Sequence, residues 1–537
     1  MSPLIVEVQQ GKLQGIENES ILNGQKYYSF LGIPYAKPPI GDLRFQAPQP
    51  SEKWVGVYEA TFEKAVCAQR DFFPPNLFIG SENCLYLNID VPQVPSEVKV
   101  PKAVMVFLHG GGFACGYATQ EFYSPDYLIT RDVILVRVAY RLHVFGFLNL
   151  GLPDCAGNAG LKDQTLAIKW VKENIASFGG DPNNITVFGE SAGGSAVHLQ
   201  TISPLAKGLF HKAIMQSGSS LVPWSMTVNP KAMAEELGER MDFDGDTTLE
   251  LLQFLRKQNA EDLTRHASEM ADDLKKKYPG VCTLTPFMPS VEEIKEGAFL
   301  PDSPENLIKT ADPLPIIYGL NDKEGIIAIF INFKNIWELL KNDFSTVLKN
   351  NFKIDQNVLP EISAKVLKYY FGDEEKIGPD AIDQLINLFS DICFYQLYEP
   401  VEFAIKSSTP PFVYEFAYDG TSNMCKLFVN AVLKRNMSGA LHGDELGYIF
   451  HTPRYVSNPV LEGENLKVIQ NMIEMWTNFA KTGVPADESI WKPSTSSQPR
   501  YLRIDHTLQL VEGEIFEERL RFLKNVLGPA AKPHHVF

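Results

Sequence analysis

Two apolar patterns alternate along the chain. Short unbroken runs of strand length recur at residues 104–108, 133–140, 185–188, 212–216, 314–320 and 412–418. Runs that are apolar throughout suit strands covered on both faces, as in parallel sheets. Residues 162–178 instead show helical spacing, with Leu166, Ala167, Trp170, Val171 and Ile175 on one stripe, and Gly179-Gly180-Asp181-Pro182 stops it. Strands alternating with helices predict an α/β chain with a large, mostly parallel central sheet covered by helices on both faces. Residues 4–60 read as short strands and turns, with Gly11 and Gly15 punctuating a first hairpin. Blocks 228–310 and 326–405 are charged and helix-like, and are expected as helical insertions over one sheet edge. With no repeat, low-complexity tract or linker in view, residues 1–537 are expected to form one domain.

In such a sheet the chemistry gathers beyond the carboxyl ends of the strands. The apolar run at 185–188 ends in Gly189-Glu190-Ser191-Ala192-Gly193, a strand-to-helix turn that pushes a serine hydroxyl to its tip. Small residues after Ser191 can open a helix whose free N–H groups face a developing negative charge. Chance alone supplies roughly 0.2 such pentapeptides in a chain of this length, so partners must be sought elsewhere. A serine hydroxyl needs a base, an acid to orient it, and donors for an oxyanion.

The order expected for this turn is Ser, then Asp or Glu, then His. His442 lies in a polar, glycine-containing loop, residues 439–446, before an apolar run. His109 also follows a strand but precedes Ser191. Between Ser191 and His442, the segment after the run at 314–320 offers both Asp322 and Glu324, and position alone does not choose between them. Gly110-Gly111-Gly112 after the run at 104–108 can turn N–H groups toward a substrate oxygen. A phosphate loop would need a following Gly-Lys-Ser/Thr, which the chain lacks here.

Composition narrows the partners. The chain has 537 residues, 45% hydrophobic and 21% charged, with net charge −16, which places it among globular proteins. An acidic surface argues against nucleic acid and anionic membranes as main partners. No apolar run approaches the length of a membrane span, so no integral membrane segment is expected. The first residues show no signal peptide, which predicts a cytoplasmic protein, with secretion the alternative if the sequence is a processed form. Seven cysteines are too sparse for a disulfide scaffold.

Taken together, these segments resemble the carboxylesterase/cholinesterase (type-B carboxylesterase) family of α/β-hydrolases. The resemblance rests on residues 32–36 (Gly-Ile-Pro-Tyr-Ala), 81–88, 109–113, 140–148, 158–164, 179–182, 188–194, 216–219 and 442–446, and it spans nearly the whole chain. Within the family the chain is most similar to arthropod intracellular carboxylesterases that clear dietary and xenobiotic esters. The resemblance implies an α/β-hydrolase fold with Ser191 as nucleophile, His442 as base and Glu324, which directly precedes a glycine, as acid. It implies oxyanion donors at Gly111, Gly112 and Ala192, and neighbours at Glu190 and Ser217 that steady the histidine. Trp224, Phe287 and Tyr448 are expected in the substrate pocket. Arg44 with Glu82, and Arg141 with Asp163, match structural ion pairs, and Cys67 and Cys84 match a family disulfide. No cofactor and no metal are implied.

Departures from the family pattern shape the expected substrate. Cholinesterases carry a tryptophan between the two matched cysteines, where it stacks on a quaternary ammonium. Residues 68–83 contain none, which argues against choline esters. Juvenile hormone esterases resemble Gly-Gln-Ser-Ala-Gly at the elbow, whereas this chain has Glu190. His143 stands where the family commonly has glycine. The expected activity is a serine carboxylesterase of broad specificity for xenobiotic, dietary or odorant esters, inhibited by organophosphates. A sequestering esterase with slow turnover and a non-catalytic binding protein on the same fold are the alternatives. The sequence leaves the oligomeric state open.

Overall fold

The computed structural model describes residues 4–281, 285–332, 336–394, 399–528 and 532–533. Among them, eleven strands form one sheet. In chain order they are β1 (Ile16–Glu19), β2 (Lys26–Pro34), β3 (Tyr86–Val91), β4 (Lys102–Leu108), β5 (Ile134–Val138), β6 (Gly180–Glu190), β7 (Lys212–Gln216), β8 (Ile316–Asn321), β9 (Phe412–Phe416), β10 (Arg500–Ile504) and β11 (Leu508–Glu512). Their spatial order is β11-β10-β9-β8-β7-β6-β4-β5-β3-β2-β1. The seven strands from β5 to β10 run parallel. Antiparallel strands complete both sides: β3, β2 and β1 on one, β11 on the other. The large, mostly parallel sheet expected from the apolar runs is present.

The unbroken runs have a direct physical cause. Along β4, Val104, Val106 and Leu108 pack into one core and Met105 and Phe107 into the other. Successive side chains point to opposite faces, so a strand covered on both sides must be apolar throughout. One face carries α1 (Ala159–Asn174) and α2 (Ala192–Ile202). The other carries a long late helix, Gly463–Thr482, through Val468, Met472, Trp476 and Phe479. The helix expected at 162–178 starts three residues earlier and tightens after Asn174 into a 3-10 turn, Ile175–Phe178. Gly179, at φ +82°, ends it.

The charged block at 228–310 contains helices Pro230–Arg240, Thr248–Lys257 and α3 (Ala260–Lys277). These do not line a sheet edge as expected. They pack on Asn149–Leu152, on His143–Phe147 after the end of β5, and on Gln69–Arg70. Their apolar faces meet Phe145, Phe147 and Leu150 in the same core. They therefore cover the rim from which the functional side chains project.

Candidate active site

Ser191 links β6 to α2 at φ +58° and ψ −124°, a conformation L-residues rarely adopt. It is held by the Ser191 N–H donating to Gln216 O at the end of β7 (2.8 Å) and by Ser195 N–H donating to Ser191 O (2.9 Å). The turn closes only because Gly193 has no Cβ, which would overlap Leu108 O. The local sequence thus dictates a sharp bend with the serine at its tip.

His442 comes from the opposite side, on the long connection after β9. That loop is fastened to the turn after β8. Lys323 N–H donates to Ala440 O (3.0 Å), Ala440 N–H to Asp322 Oδ1 (2.8 Å), and Asn321 Nδ2 to Leu441 O (2.7 Å). The result brings His442 Nδ1 to 2.5 Å from Glu324 Oε2. Glu324 Oε1 accepts from Ser217 Oγ (2.5 Å) and from the Asn321 N–H (2.7 Å). Asp322 does not take part in the imidazole contact; its carboxylate holds the loop backbone instead. Of the two acids that position left open, Glu324 is the one these hydrogen bonds bring to the imidazole.

The other ring nitrogen, His442 Nε2, lies 3.1 Å from Glu190 Oε1. Both side chains are buried. Burial raises Glu190 well above the usual carboxylate range, and His442 pulls it part of the way back. Burial alone would lower His442, but the Glu190 and Glu324 carboxylates more than reverse this and raise it. With a proton on Glu190, one of those carboxylates is neutralised and the imidazole is free to be neutral as well. Two further buried acids sit beneath. Asp444 accepts the Lys426 and Leu441 N–H groups (2.9 and 2.7 Å), and burial nevertheless pushes it up to about 7. Glu445 accepts from Asn321 Nδ2 and Gln216 Nε2, and burial raises it too.

Glu190, Ser191, His442 and Gly110-Gly111-Gly112 line one cavity. Gly111 and Gly112 stand at φ +108° and +61°, and among the described residues no acceptor takes their N–H groups. Ala192 is buried in the first turn of α2, where helical N–H groups have no intrahelical partner. Trp224 is in the cavity wall, as expected. Phe287 and Tyr448 are not, which corrects the expected pocket. Tyr448 turns under the loop of His442, packs against Phe416 and Tyr418, and donates its hydroxyl to Asn423 Oδ1 (2.6 Å). Phe287 is fully enclosed in the core. The wall is built from Phe72, Phe73, Phe122, Tyr123 and Tyr455, with Met424 and Cys425 opening α4 (Met424–Leu433). These aromatics come from three separate loops and carried no local signal beyond their type. His109 is buried against Tyr140, 4.4 Å between ring centres, and burial lowers it to about 4.

The expected supports are also in place. Arg44 pairs with Glu82 and Arg141 with Asp163, and Cys67 and Cys84 form a disulfide. Among the described residues no group of three or more His, Cys, Asp or Glu is arranged to hold a metal ion, and no helix is long and apolar enough to cross a membrane.

Comparison with known proteins places this geometry in a family. Residues 2–523 match the carboxylesterase family. Esterase FE4 of Myzus persicae is 34% identical over 527 residues, covering 96% of this chain and 90% of its own. A juvenile hormone esterase of Tribolium castaneum is 35% identical over 486 residues, covering 86% of this chain and 81% of its own. The crystal structure of the juvenile hormone esterase of Manduca sexta, with OTFP covalently attached, superposes with a TM-score of 0.84 at 29% identity, covering 98% of this chain and 99% of that one. A serine at a strained strand-to-helix turn, a histidine on a glutamate, and a match along nearly the full chain lead to one assignment: the chain belongs to the carboxylesterase family and is a carboxylic ester hydrolase.

Proposed function

We propose that the chain hydrolyses lipophilic carboxylic esters through an acyl-enzyme on Ser191. The observation that carries this reading is His442, held at Nδ1 by Glu324 and lining the same cavity as Ser191 and the glycine turn. In the first step Ser191 Oγ bonds to the ester carbonyl carbon and its proton passes to His442 Nε2. The carbonyl oxygen takes the negative charge against the N–H groups of Gly111, Gly112 and Ala192. The C–O bond to the alcohol then breaks, and His442 returns the proton to the departing oxygen. Water, deprotonated by the same nitrogen, attacks the acyl carbon and releases the acid. Glu324 holds the ring in the tautomer with its proton on Nδ1 and stabilises the imidazolium. Ser217 and the Asn321 N–H keep that carboxylate in place.

The aromatic wall favours apolar acyl and alcohol groups. It supports broad clearance of xenobiotic, dietary or odorant esters. Organophosphates react at Ser191 on this reading, since a phosphoryl oxygen can occupy the oxyanion position. Location belongs to the proposal too: cytoplasm and secretion are the alternatives, the Cys67–Cys84 disulfide suits the second, and trapping of free thiols at these two cysteines in freshly lysed cells distinguishes them.

The test is a panel of naphthyl and nitrophenyl esters of graded chain length, with juvenile hormone included, followed through burst and steady state. The expected result is a stoichiometric burst followed by turnover, both abolished in Ser191→Ala. A burst with almost no turnover would instead favour sequestration. Hydrolysis surviving in Ser191→Ala would refute the mechanism.

A further inference from the structure

A second cavity lies beside the catalytic one, and Phe72 and Cys115 stand in the walls of both. Three phenyl rings are packed where the two meet. Phe73 lines the catalytic cavity, Phe428 the second, and Phe72 both. Ring centres are 5.7 Å apart for Phe72 and Phe73, 5.4 Å for Phe72 and Phe428, and 5.4 Å for Phe73 and Phe428. These are the separations of rings in direct contact, so the three form a closed cluster.

Other parts of the shared wall are held by hydrogen bonds of the backbone. Cys115 donates its N–H (3.1 Å) and its thiol (3.5 Å) to Gly111 O. His143, which also lines the second cavity, donates its N–H to Phe113 O (2.7 Å). Phe72 differs: it is a half-buried side chain on the loop that Cys67 and Cys84 close, and its ring can be removed without breaking those bonds. Beyond the rings the space suits a neutral chain. Arg70 and Lys275 both pair with Asp272 (3.5 and 3.3 Å), and Asp71 accepts the Tyr117 hydroxyl at 2.6 Å. The charged groups of the second cavity thus have partners, and Phe428 and Val432 give it an apolar flank.

We propose that Phe72 sets the length of ester that Ser191 hydrolyses: its ring caps the catalytic cavity, and the second cavity is the room that a longer apolar acyl or alcohol chain would fill in its place. The inference rests on ester hydrolysis at Ser191, the reading given above, and adds a limit to it. A chain that ends at the ring lies against the aromatic wall. A longer one must push Phe72 out of contact with two other rings or fold back on itself, and either costs it transition-state binding that the shorter chain keeps.

The experiment measures kcat/KM for two pairs of esters, nitrophenyl butyrate with nitrophenyl decanoate and butyl acetate with decyl acetate. The first pair lengthens the acyl group and the second the alcohol. In Phe72→Ala the long-to-short ratio is expected to rise by about 10-fold or more in at least one pair, which names the half of the ester that faces the ring. Ser268→Phe, which fills the second cavity from α3, is expected to cancel that gain when added to Phe72→Ala. Ratios unchanged in both pairs overturn the proposal, as does a gain that survives Ser268→Phe. Should Phe72→Ala fail to fold, Phe72→Leu keeps an apolar side chain and is expected to raise the ratio by about 3-fold, and an unchanged ratio there overturns the proposal instead. Ser191→Ala, assayed alongside, separates the two readings. Hydrolysis that depends on Ser191 with unchanged ratios removes only the role of Phe72, whereas a wild type inactive on all four esters removes both.

Discussion

At the scale of single residues, the pair Glu190 and His442 sets how the site responds to pH. Glu190 lies on the Nε2 side of the ring, the nitrogen that must be unprotonated in the proposed mechanism. Its carboxylate favours the imidazolium, so its removal lowers the histidine's affinity for a proton. Glu190→Gln is therefore expected to move the acid limb of the kcat/KM profile to lower pH, checked with one nitrophenyl ester from pH 4.5 to 9. A limb that stays in place or moves upward contradicts the role given to Glu190. Glu324→Gln leaves the ring without its carboxylate partner and is expected to lower kcat by about 10⁴-fold. Asp322→Asn, which keeps an oxygen for the Ala440 N–H, is expected to cost less than about 10-fold. Equal losses in the two variants would undo the assignment of the acid.

The ambiguity between those two acids shows what a linear sequence leaves out. Asp322 and Glu324 are two residues apart, and both follow a strand. Only the bonds that fasten residues 440 and 441 to the turn after β8 decide which carboxylate meets the ring. Ser191 was legible for the opposite reason: a turn that needs glycine two residues on either side of a serine leaves a local mark. Tyr448 illustrates the limit. It was expected in the pocket from the resemblance, but in a tight 3-10 turn, Asp444–Tyr448, the ring points inward to Asn423.

At the scale of elements, the rim loops are tied to the sheet and helices by buried charge. Arg141, in the turn after β5, gives Nε and Nη2 to the two oxygens of Asp163 on α1 (2.8 and 2.7 Å), and its own N–H to Oδ2 (3.1 Å). Asp163 is completely buried. Removing one member leaves the other charge unpaired in the core, at a cost of about 3–5 kcal/mol. Asp163→Asn is expected to lower stability by about that amount, measured as a shift of the urea midpoint at constant slope, and a change under about 1 kcal/mol would argue against a tie of this kind. The same turn carries His143, so local loosening would reach both cavities. The helices of the block at 228–310 were legible as helices from their spacing. Their place over the rim was not, because an amphipathic face specifies that apolar surface is needed and not which surface supplies it.

At the scale of the whole molecule, the buried ionisable groups set how stability depends on pH. Asp444 titrates near 7 in the fold and at about 3.9 unfolded. Between those two values the unfolded chain binds fewer protons, so this contribution is lost as pH rises from about 3.9 to 7. Glu190 and Glu445, also raised, act in the same direction. His442, raised from 6.5, contributes stability present below 6.5 and lost above it. Below 6.5 the buried neutral histidines oppose this. His109 and His143 are lowered to about 4 and His198 to about 3, so the unfolded chain binds more protons there and stability falls with falling pH. The Tm is therefore expected to change little between about pH 4.5 and 6.5, where the two sets oppose each other, and to drop by pH 8.5, with a shallower drop in Glu190→Gln. A Tm that climbs steadily to pH 8.5 would contradict the buried acids as its source.

The sequence by itself determined the parallel sheet, the serine turn and the glycine turn. Each depends on a short-range rule: an unbroken apolar run for a strand covered on both faces, or glycine where a backbone passes too close for a Cβ. The tertiary structure alone decided that Glu324 and not Asp322 meets His442, that Glu190 faces the ring's other nitrogen, and that scattered aromatics form one wall. It also set Phe72 between that wall and a second cavity. These are relations between segments more than a hundred residues apart, or between a side chain and the space around it. They exist only once the loops beyond the strand ends have been drawn together by packing and hydrogen bonds that no local pattern encodes.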